Sequence, residues 1–539
     1  MRTLMFILIL STAGAAVLLC GANLWLGDLN QDEGWYLLAA RSVAEGRIPY
    51  ADFAFTQGPV LPFVYAVFAP LVRAWGVAGG RLITACFGAA AALLAAWTAF
   101  RSVRERTAGG KDYAAVAACA TLALILLNCY QSYFTTVVKT YGLAATWIAA
   151  GFLALTFRRS LRFGGMACFW SGFFFALAAG TRLSAGILLP VVGVWLISRS
   201  GEAEANRERF NSRGQYLGRQ LNWVCFGIGG AFVLALWMLP FLLIAPEEFR
   251  FGMLGYHSGR EPGGLMEALV LKAGFVSRFV QAYYLWAVLT LASMLLRFRR
   301  DRERSGTSAP ACSPGVLWAG GAAVTLVHLI APFPYDDYQA IIYPVLAVAL
   351  VVALVPLIPR RLLPGLAVLV VLASLAGAGS SPINQQWFVR GRDRIWWKFK
   401  ERPDLVKLRD AGAFIRARTP AGSILLTQDA YLAVEADRRV PREMEMGPFS
   451  YYPDMERERA ERLHLLNRAM LTERLRTADA PMAAFSGYGL TIACPEIQPL
   501  PAEETERFYE LVRERFRPVR EIEHFGQGHT LLRIYTSIY

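Results

Sequence analysis

The feature that most constrains the fold is a series of apolar runs that recurs from Leu4 to about residue 379. Each run is mostly free of charge and is close to the roughly 20 residues that a helix needs to cross the hydrocarbon of a bilayer. The sequence therefore predicts a polytopic α-helical membrane protein with about 11 transmembrane helices. The runs cover residues 4–26, 82–100, 114–130, 137–157, 163–180, 183–198, 221–245, 276–296, 316–332, 338–357 and 362–379.

Composition changes after the last apolar run. Over the 539 residues, 55% are hydrophobic and 18% are charged, which is too apolar for a soluble globular protein. Beyond about residue 400, however, Arg, Glu and Asp become frequent, and segments with helical and strand periodicity follow one another. We expect a transmembrane domain over residues 1–379, an interfacial linker over 380–402 and a soluble α/β domain over 403–539.

The formal charge of +14 does not indicate a nucleic-acid partner, because the basic residues gather in short connections between apolar runs. Basic connections of this kind orient a membrane protein and mark the cytoplasmic side. If the N-terminus is cytoplasmic, five of them lie inside, at residues 101–111, 158–162, 199–219, 297–304 and 360–361. The protein then belongs in the inner or plasma membrane, and the C-terminal domain is periplasmic or extracellular.

The same orientation puts residues 28–81, the turn at Thr181 and Arg182, residues 246–275 and residues 334–337 on the outer face. It requires residues 59–75, which Pro62 and Pro70 interrupt, to lie along the interface instead of crossing the bilayer.

The first outer loop carries two adjacent carboxylates, Asp32 and Glu33, at the start of a short amphipathic helix. Carboxylates at the lip of a membrane cavity indicate function, because charge near the bilayer is costly to maintain. A purely structural reading is also open, in which Asp32 caps the helix and Glu33 complements its dipole.

This loop resembles the first external loop of the GT-C glycosyltransferases, specifically the bacterial relatives of the dolichyl-phosphate-mannose protein mannosyltransferases and the lipid A aminoarabinose transferases. The resemblance rests on Asp32-Glu33, Tyr36, Ala39-Ala40, the Gly46 to Pro49 exit and Gly58-Pro59. Weaker similarity continues at residues 180–183 and 338–344. The resemblance implies a GT-C-like fold and an inverting hexosyl- or pentosyltransferase. Its donor would be a polyprenyl-phosphate sugar, and its acceptor a hydroxyl of a lipid, glycan or protein.

The implied reaction needs a base and a phosphate site. Asp32, with Glu33 beside it, is the candidate base, because a carboxylate can remove the proton of an attacking alcohol. The leaving phosphate gains negative charge, which cations and hydrogen-bond donors stabilise. The candidates for the donor and its phosphate are Arg182, Lys139, Gln57 and Tyr36. Plainer readings remain open, in which Lys139 extends to the interface and Arg182 is an ordinary loop charge.

Further candidates lie in the later outer loops. His257 and Arg260 either contact the acceptor or belong to a plain connector. Asp336 and Asp337, followed by Tyr338, are a second acidic pair or a turn in which Asp337 caps the next helix.

Oxygen ligands from the acidic residues, Asp32 first among them, could hold a divalent cation such as Mg²⁺ or Mn²⁺. Two departures from the family bear on the site: Gln57 stands where relatives often have Lys, and Lys139 where they often have Asp. The first weakens the phosphate contact, and the second weakens the metal assignment.

The C-terminal domain shows no phosphate-binding loop, Ser/His/Asp set or metal spacing, so we expect it to act as a lid or acceptor site. Its aromatic stretches at residues 446–452 and 485–489 either stack on sugars or form turns on the core. Two alternatives to the enzyme are a transporter or lipid flippase, which should show internal repeats, and an inactive member of the same fold.

Overall fold

A computed structural model describes residues 1–105, 110–160, 163–205, 221–260, 264–301, 314–379 and 402–538. The predicted linker at 380–402, apart from its last residue, lies outside the described residues, as do parts of the predicted basic connections.

The region before residue 380 is built almost entirely of helices. Apart from 3₁₀ and π turns and the short helices Pro246–Arg250 and Tyr256–Ser258, they are in chain order α1 (Arg2–Leu26), α2 (Gln31–Ala44), α3 (Val60–Ala66), α4 (Ala69–Arg104), α5 (Gly110–Leu126), α6 (Cys129–Phe134), α7 (Thr140–Leu155), α8 (Gly164–Thr181), α9 (Leu188–Ala205), α10 (Asn222–Ile244), α11 (Leu265–Ala282), α12 (Tyr284–Asp301), α13 (Pro314–Ile330), α14 (Tyr343–Leu354) and α15 (Leu363–Gly379).

Every one of the eleven predicted apolar runs contains a helix, but fewer helices are long enough to span a membrane unaided. Within the described ranges, five are long and apolar enough: α1, α4, α8, α10 and the segment Arg360–Gly379 that contains α15. A sixth span results if α11 and α12 are counted together. The fold class is thus a helical bundle with several membrane spans, and a count of about 11 stays a prediction.

The predicted run 276–296 is not one helix. It is divided at Tyr283, where α11 and α12 meet at an angle of 84°. The Tyr283 ring stacks on Tyr343 with centroids 3.9 Å apart, and its hydroxyl donates to Gln131 Oε1 at 2.9 Å. These contacts fix the break. Part of the predicted outer loop is therefore helical, as the first half of α11.

Helix α4 contains a second break, at Gly76, whose φ of 60° and ψ of −141° are not helical. This backbone conformation favours glycine, and a Cβ at this position would lie 2.0 Å from Glu435 Oε2 and displace that carboxylate. The next residue, Val77, donates its N–H to the same carboxylate at 3.0 Å. The break thus joins the helical bundle to the C-terminal region.

The region from residue 402 has α/β structure. Its elements are α16 (Asp404–Arg416), β1 (Leu425–Leu426), α17 (Ala430–Ala436), α18 (Arg457–Arg462), α19 (Arg468–Thr477), β2 (Met482–Ser486), β3 (Ile492–Ala493), β4 (Gln498–Pro499), α20 (Ala502–Arg515), β5 (Phe516–Phe525) and β6 (Thr530–Ser537). A four-stranded sheet has the order β1-β2-β6-β5, with β1 parallel to β2 and the other pairs antiparallel. Strand β2 is buried along its whole length and forms the centre of this region.

Helix α2 lies between the bundle and the C-terminal region and touches α17 very closely. A Cβ at Gly34 would lie 2.1 Å from the backbone nitrogen of Tyr431. One turn earlier, Gln31 Nε2 donates to Asp429 Oδ1 at 3.1 Å and to the Tyr431 hydroxyl at 3.0 Å. Burial raises the pKa of Asp429, and hydrogen bonds from Ser486 and Gln31 act in the opposite direction. The C-terminal region is therefore packed against the loop that carries the predicted site.

Some of the basic connections that the sequence analysis places on the cytoplasmic side lie close to each other. Arg101, in the first connection, donates to Thr156 Oγ1 at 2.8 Å, two residues before the second connection begins. Arg360 forms an ion pair with Asp112 at 2.6 Å, next to the first one. These contacts agree with a shared side of the bundle for the basic connections.

Candidate active site

Residues from the separate predicted outer loops meet around one cavity of about 610 Å³. The residues that line it include nine of the predicted site residues: Asp32, Tyr36, Gln57, Lys139, Arg182, His257, Arg260, Asp337 and Tyr338. Two predicted residues, Glu33 and Asp336, are not in its wall. The loops therefore lie on one side of the molecule, as the sequence predicts.

Asp32 faces this cavity because another residue caps its helix. The N-cap of α2 is Asn30, whose Oδ1 accepts from the Asp32 backbone N–H at 3.0 Å. The reading of Asp32 as the cap is therefore wrong. Its side chain is 28% exposed, and its Oδ1 accepts a hydrogen bond from Trp35 Nε1 at 3.2 Å.

Glu33 has different surroundings. Its carboxylate is fully buried in a two-point ion pair with Arg81, with Nε to Oε2 at 2.7 Å and Nη2 to Oε1 at 2.6 Å. The Asn30 backbone N–H completes the capping box by donating to Glu33 Oε1 at 3.0 Å. The predicted catalytic role of Glu33 is corrected accordingly, because this side chain anchors α2 and does not reach the cavity.

Lys139 joins the two acidic loops. Its side chain is buried, and its Nζ lies 2.8 Å from Asp337 Oδ2 and 3.1 Å from Asp32 Oδ2. Burial would raise the pKa of Asp337, but the ammonium of Lys139 holds it below its usual value. Two plainer readings are wrong: Lys139 does not extend to an interface, and Asp337 does not cap a helix, since the 3₁₀ turn Asp336–Ile341 has no side-chain cap.

Asp336 points away from its neighbour. Its carboxylate accepts a hydrogen bond from the Tyr130 hydroxyl, and Arg278 lies 3.8 Å away. Burial and the charge of Asp337 raise the pKa of Asp336. The prediction of Asp336 as a ligand contact is corrected, because it belongs to the packing behind the cavity wall.

Two arginines in the wall have no acidic partner in the part of the chain that the structure describes. Arg182 is 9% exposed, donates to Thr140 Oγ1 at 3.2 Å and lies 4.1 Å from the Tyr338 ring centroid. Arg260 stands over the ring of Tyr256 at 4.6 Å. Among the described residues, no carboxylate lies within 4.0 Å of either guanidinium, and the Nε atom of each lacks a hydrogen-bond partner. Such cations, Arg182 buried and Arg260 half-buried, favour the binding of an anion.

A second, apolar groove of about 720 Å³ begins where these arginines lie. It shares Gln57, Arg182, His257, Arg260 and Tyr338 with the polar cavity. Further along, its walls are mainly apolar and include Leu183, Ile187, Pro190, Leu254, Val327 and Phe333. The two spaces are thus continuous, and Arg182 and Arg260 stand at their junction.

His257 and Gln57 form a neutral pair at this junction. His257 Nε2 donates to the Thr56 carbonyl at 2.9 Å, and Gln57 Nε2 lies 3.5 Å from the same ring nitrogen. Burial lowers the pKa of His257 to about 4, and the positive charges of Arg260 and Arg182 act in the same direction. At neutral pH this pair therefore offers hydrogen bonds without charge.

The sequence missed most of the opposite wall, which the C-terminal region supplies. Phe449, Tyr488, Gln527 and Thr530 all line the polar cavity. Gln527 Oε1 accepts from the backbone N–H of Gln31 at 2.8 Å, which holds the β5–β6 hairpin against the start of α2. Only the aromatic stretches at 446–452 and 485–489 signalled this wall. Trp35, Tyr141 and Tyr256 were missed as well, because aromatic residues are common throughout the apolar runs.

A group of three potential metal ligands lies elsewhere, between the loop after α1 and the C-terminal region. Donor atoms of Asp28, Asp404 and His529 lie within 4.8 Å of one another. It is the one such group of three or more His, Cys, Asp or Glu side chains in the described ranges. Asp32, the predicted ligand, is not part of it.

No protein-family model matches the sequence, and no curated protein matches it significantly. Solved structures do match its fold. ArnT from Cupriavidus metallidurans in the apo state has a TM-score of 0.59 at 14% identity, covering 98% of this chain and 97% of that one. ArnT bound to undecaprenyl phosphate has a TM-score of 0.55 at 14% identity, with the same coverage.

The oligosaccharyltransferase of Archaeoglobus fulgidus follows with a TM-score of 0.45 at 12% identity, covering 98% of this chain and 73% of that one. ArnT belongs to the GT-C superfamily. The resemblance seen in the first outer loop is therefore confirmed at the level of the fold: the described part of this chain is folded like ArnT, and the match covers 98% of the chain.

Proposed function

We propose that the protein is a membrane glycosyltransferase that moves a sugar from a polyprenyl-phosphate carrier to a hydroxyl group. The observation that carries this proposal is the pair Arg182 and Arg260, two cations that pair with no carboxylate of the described ranges and stand at the junction of an apolar groove and a polar cavity. A polyprenyl-phosphate sugar has the same order of parts: an apolar chain, an anionic phosphate and a polar sugar. Each part then meets surroundings of its own polarity.

In this arrangement the isoprenoid chain occupies the groove near Leu183 and Phe333. The phosphate lies between the two guanidinium groups, which offer planar donors suited to phosphate oxygens. The sugar extends into the polar cavity toward Asp32, beside the rings of Tyr36 and Trp35, which stack with centroids 3.8 Å apart. The bound undecaprenyl phosphate in ArnT, a protein of the same fold, supports a carrier of this class.

Asp32 acts as the general base in the proposed reaction. Its carboxylate takes the proton of the acceptor hydroxyl as the oxygen attacks the anomeric carbon. The bond from that carbon to the phosphate oxygen breaks, and the electron pair leaves with the polyprenyl phosphate. A single displacement of this kind inverts the anomeric configuration. No strong acid is needed, because the two arginines stabilise the charge that the phosphate gains.

The acceptor enters from the side covered by the C-terminal region. Phe449 and Tyr488 offer aromatic faces, and Gln527 offers an amide, opposite Asp32. This wall suits the hydroxyl group of a lipid, glycan or protein. The proposed role of the C-terminal region is therefore to bind the acceptor. The basic connections on the other side support a cytoplasmic N-terminus, so transfer takes place on the outer face of the inner or plasma membrane.

Transfer by the purified full-length protein in proteoliposomes tests the proposal, with labelled polyprenyl-phosphate sugars as donors. Asp32→Asn should lower the rate about 100-fold or more, because the amide cannot accept the proton. Asp410→Asn is the matched control, since Asp410 lies on the surface of α16 and pairs only with Arg402 in the described part of the chain. Equal transfer by Asp32→Asn and wild type would remove Asp32 from the role of base. Carrier movement without transfer in either protein would favour a flippase.

A further inference from the structure

The most unusual feature of the site is the position of Lys139, at the N-cap of α7. Its backbone is extended, with φ −140° and ψ 173°, so the chain turns there and directs a buried side chain at two loops. Its Nζ lies 2.8 Å from Asp337 Oδ2 and 3.1 Å from Asp32 Oδ2. One ammonium group thus pairs with both carboxylates that face the cavity.

A divalent cation does not fit between these carboxylates. A Mg²⁺ ion shared by both would lie about 2.1 Å from each oxygen, in the space that the ammonium nitrogen already fills. A third acidic ligand is also missing from the described residues around the cavity, because Glu33 is held by Arg81 and Asp336 by Tyr130. The oxygens of Asp32 and Asp337 that could bind a metal are therefore already paired with the Lys139 ammonium.

The charges of the site are consistent with this arrangement. Asp32 and Asp337 supply two negative charges and Lys139 one positive charge. When a proton moves from the acceptor to Asp32, that carboxylate becomes neutral while the leaving phosphate gains a negative charge. Lys139 does not lose its partner, because Asp337 stays ionised and hydrogen-bonded to it. A buried ammonium that remains paired throughout avoids the large cost of an isolated buried charge.

We propose that the ammonium of Lys139 takes the place of a divalent cation in this enzyme and that sugar transfer is independent of added metal. Lys139 is a positioning residue: it orients the Asp32 carboxylate and ties it to the loop of Asp337. The proposal rests on the function proposed above. The GT-C glycosyltransferases that the first loop resembles often have Asp at the position of Lys139. The proposed independence from metal is therefore specific to this chain.

The first test uses the wild-type protein in proteoliposomes, treated with EDTA and assayed for transfer with and without Mg²⁺ or Mn²⁺. Transfer should be unchanged by EDTA. Loss of transfer in EDTA with recovery in either metal would overturn the inference and leave the proposed function intact.

The second test compares Lys139→Ala with Lys272→Ala, whose Nζ donates to the carbonyls at the end of α13, away from Asp32. Lys139→Ala should lower kcat about 100-fold or more with little change in the KM for the donor. Lys139→Arg should recover part of the rate, because it keeps the positive charge. Wild-type kcat in Lys139→Ala would contradict the inference.

Binding of Mn²⁺ gives a readout that does not depend on catalysis. When Mn²⁺ is titrated with protein and followed by electron paramagnetic resonance, the wild type and the single variant Asp337→Asn should bind the same number of Mn²⁺ ions. Lys139→Ala should bind one additional Mn²⁺, and Lys139→Ala with Asp337→Asn should lose it. Equal Mn²⁺ binding by wild type and Lys139→Ala would overturn the inference. If wild type transfers no sugar, the proposed function fails, and this measurement still decides whether Lys139 excludes a metal.

Discussion

Asp32 and Glu33 are neighbours in sequence, yet their side chains point to different surroundings. Successive residues on a helix are turned by about 100°, so only one of two adjacent carboxylates can face a given side. Asp32 faces the cavity, and Glu33 faces the bundle, where Arg81 binds it. The sequence identified the acidic pair but not which member reaches the cavity, because that depends on the partner of each.

A second prediction for a single residue concerns Arg182 and the binding of the donor phosphate. Arg182→Ala should raise the KM for the polyprenyl-phosphate donor and lower kcat/KM about 100-fold or more, because the phosphate loses a buried, unshared cation. Arg182→Lys should recover only part of the loss, since an ammonium cannot supply two parallel hydrogen bonds. Steady-state kinetics over a range of donor concentrations measures both values.

Arg517→Ala is the control for this experiment, because Arg517 is an exposed residue of β5, distant from the cavity wall. It should leave the donor KM unchanged. A donor KM in Arg182→Ala equal to that of wild type would contradict the phosphate site.

At the scale of elements, the position of α2 decides whether Asp32 faces the cavity. The helix is fixed at its start by the capping box and on its inner side by the ion pair of Glu33 and Arg81. The Arg81 guanidinium also donates to the carbonyls of Leu24 and Asp28, at the end of α1 and just beyond it. One buried group thus connects α1, α2 and α4.

Glu33→Gln should lower the free energy of unfolding by about 3–5 kcal/mol, because it leaves the buried charge of Arg81 without its counter-charge. Thermal unfolding in detergent measures the loss. The rate per folded molecule should fall much less than in Asp32→Asn. The double variant Glu33→Gln with Arg81→Met should recover part of the stability, since it removes the unpaired charge. An unfolding temperature equal to that of wild type would show that this pair does not hold α2.

The sequence predicted where the apolar helices lie but not where they break. Apolar runs mark helices because the bilayer demands both apolar surface and internally satisfied backbone hydrogen bonds. The same runs continue without change through Tyr283, where the chain turns by 84° between α11 and α12. That break depends on contacts with Tyr343 and Gln131, which are distant in sequence.

At the scale of the whole molecule, the C-terminal region completes the cavity that the bundle begins. Its α/β character was predicted from strand and helix periodicity, whereas its place on α2 could not be. The docking depends on contacts such as Gly34 against Tyr431 and Gln31 against Asp429, and each looks ordinary in sequence. The half of the candidate site on the bundle was therefore predictable, and the half on the C-terminal region was not.

Gly34→Ala tests this docking. The added methyl group would lie 2.1 Å from a backbone nitrogen of α17, which cannot move without shifting the C-terminal region. We expect faster hydrogen exchange at residues 430–436 and 527–530 and at least a tenfold loss of transfer, with the bundle still folded. Gly14→Ala in α1 is the control, because its added Cβ would meet nothing within 4 Å beyond the adjoining residues and backbone of its own helix. Wild-type exchange and transfer in Gly34→Ala would contradict the close packing.

The presence of Gln527 and Thr530 in the cavity wall has a consequence for biosynthesis. Asp32 leaves the ribosome almost five hundred residues before them. Throughout that interval the growing chain can insert its helices, but the polar cavity is open to water on the side that Gln527 and Thr530 later cover. Under the proposed function, the nascent protein would bind a lipid carrier before it could shield the sugar from water, and transfer would begin only when the β5–β6 hairpin packs against α2.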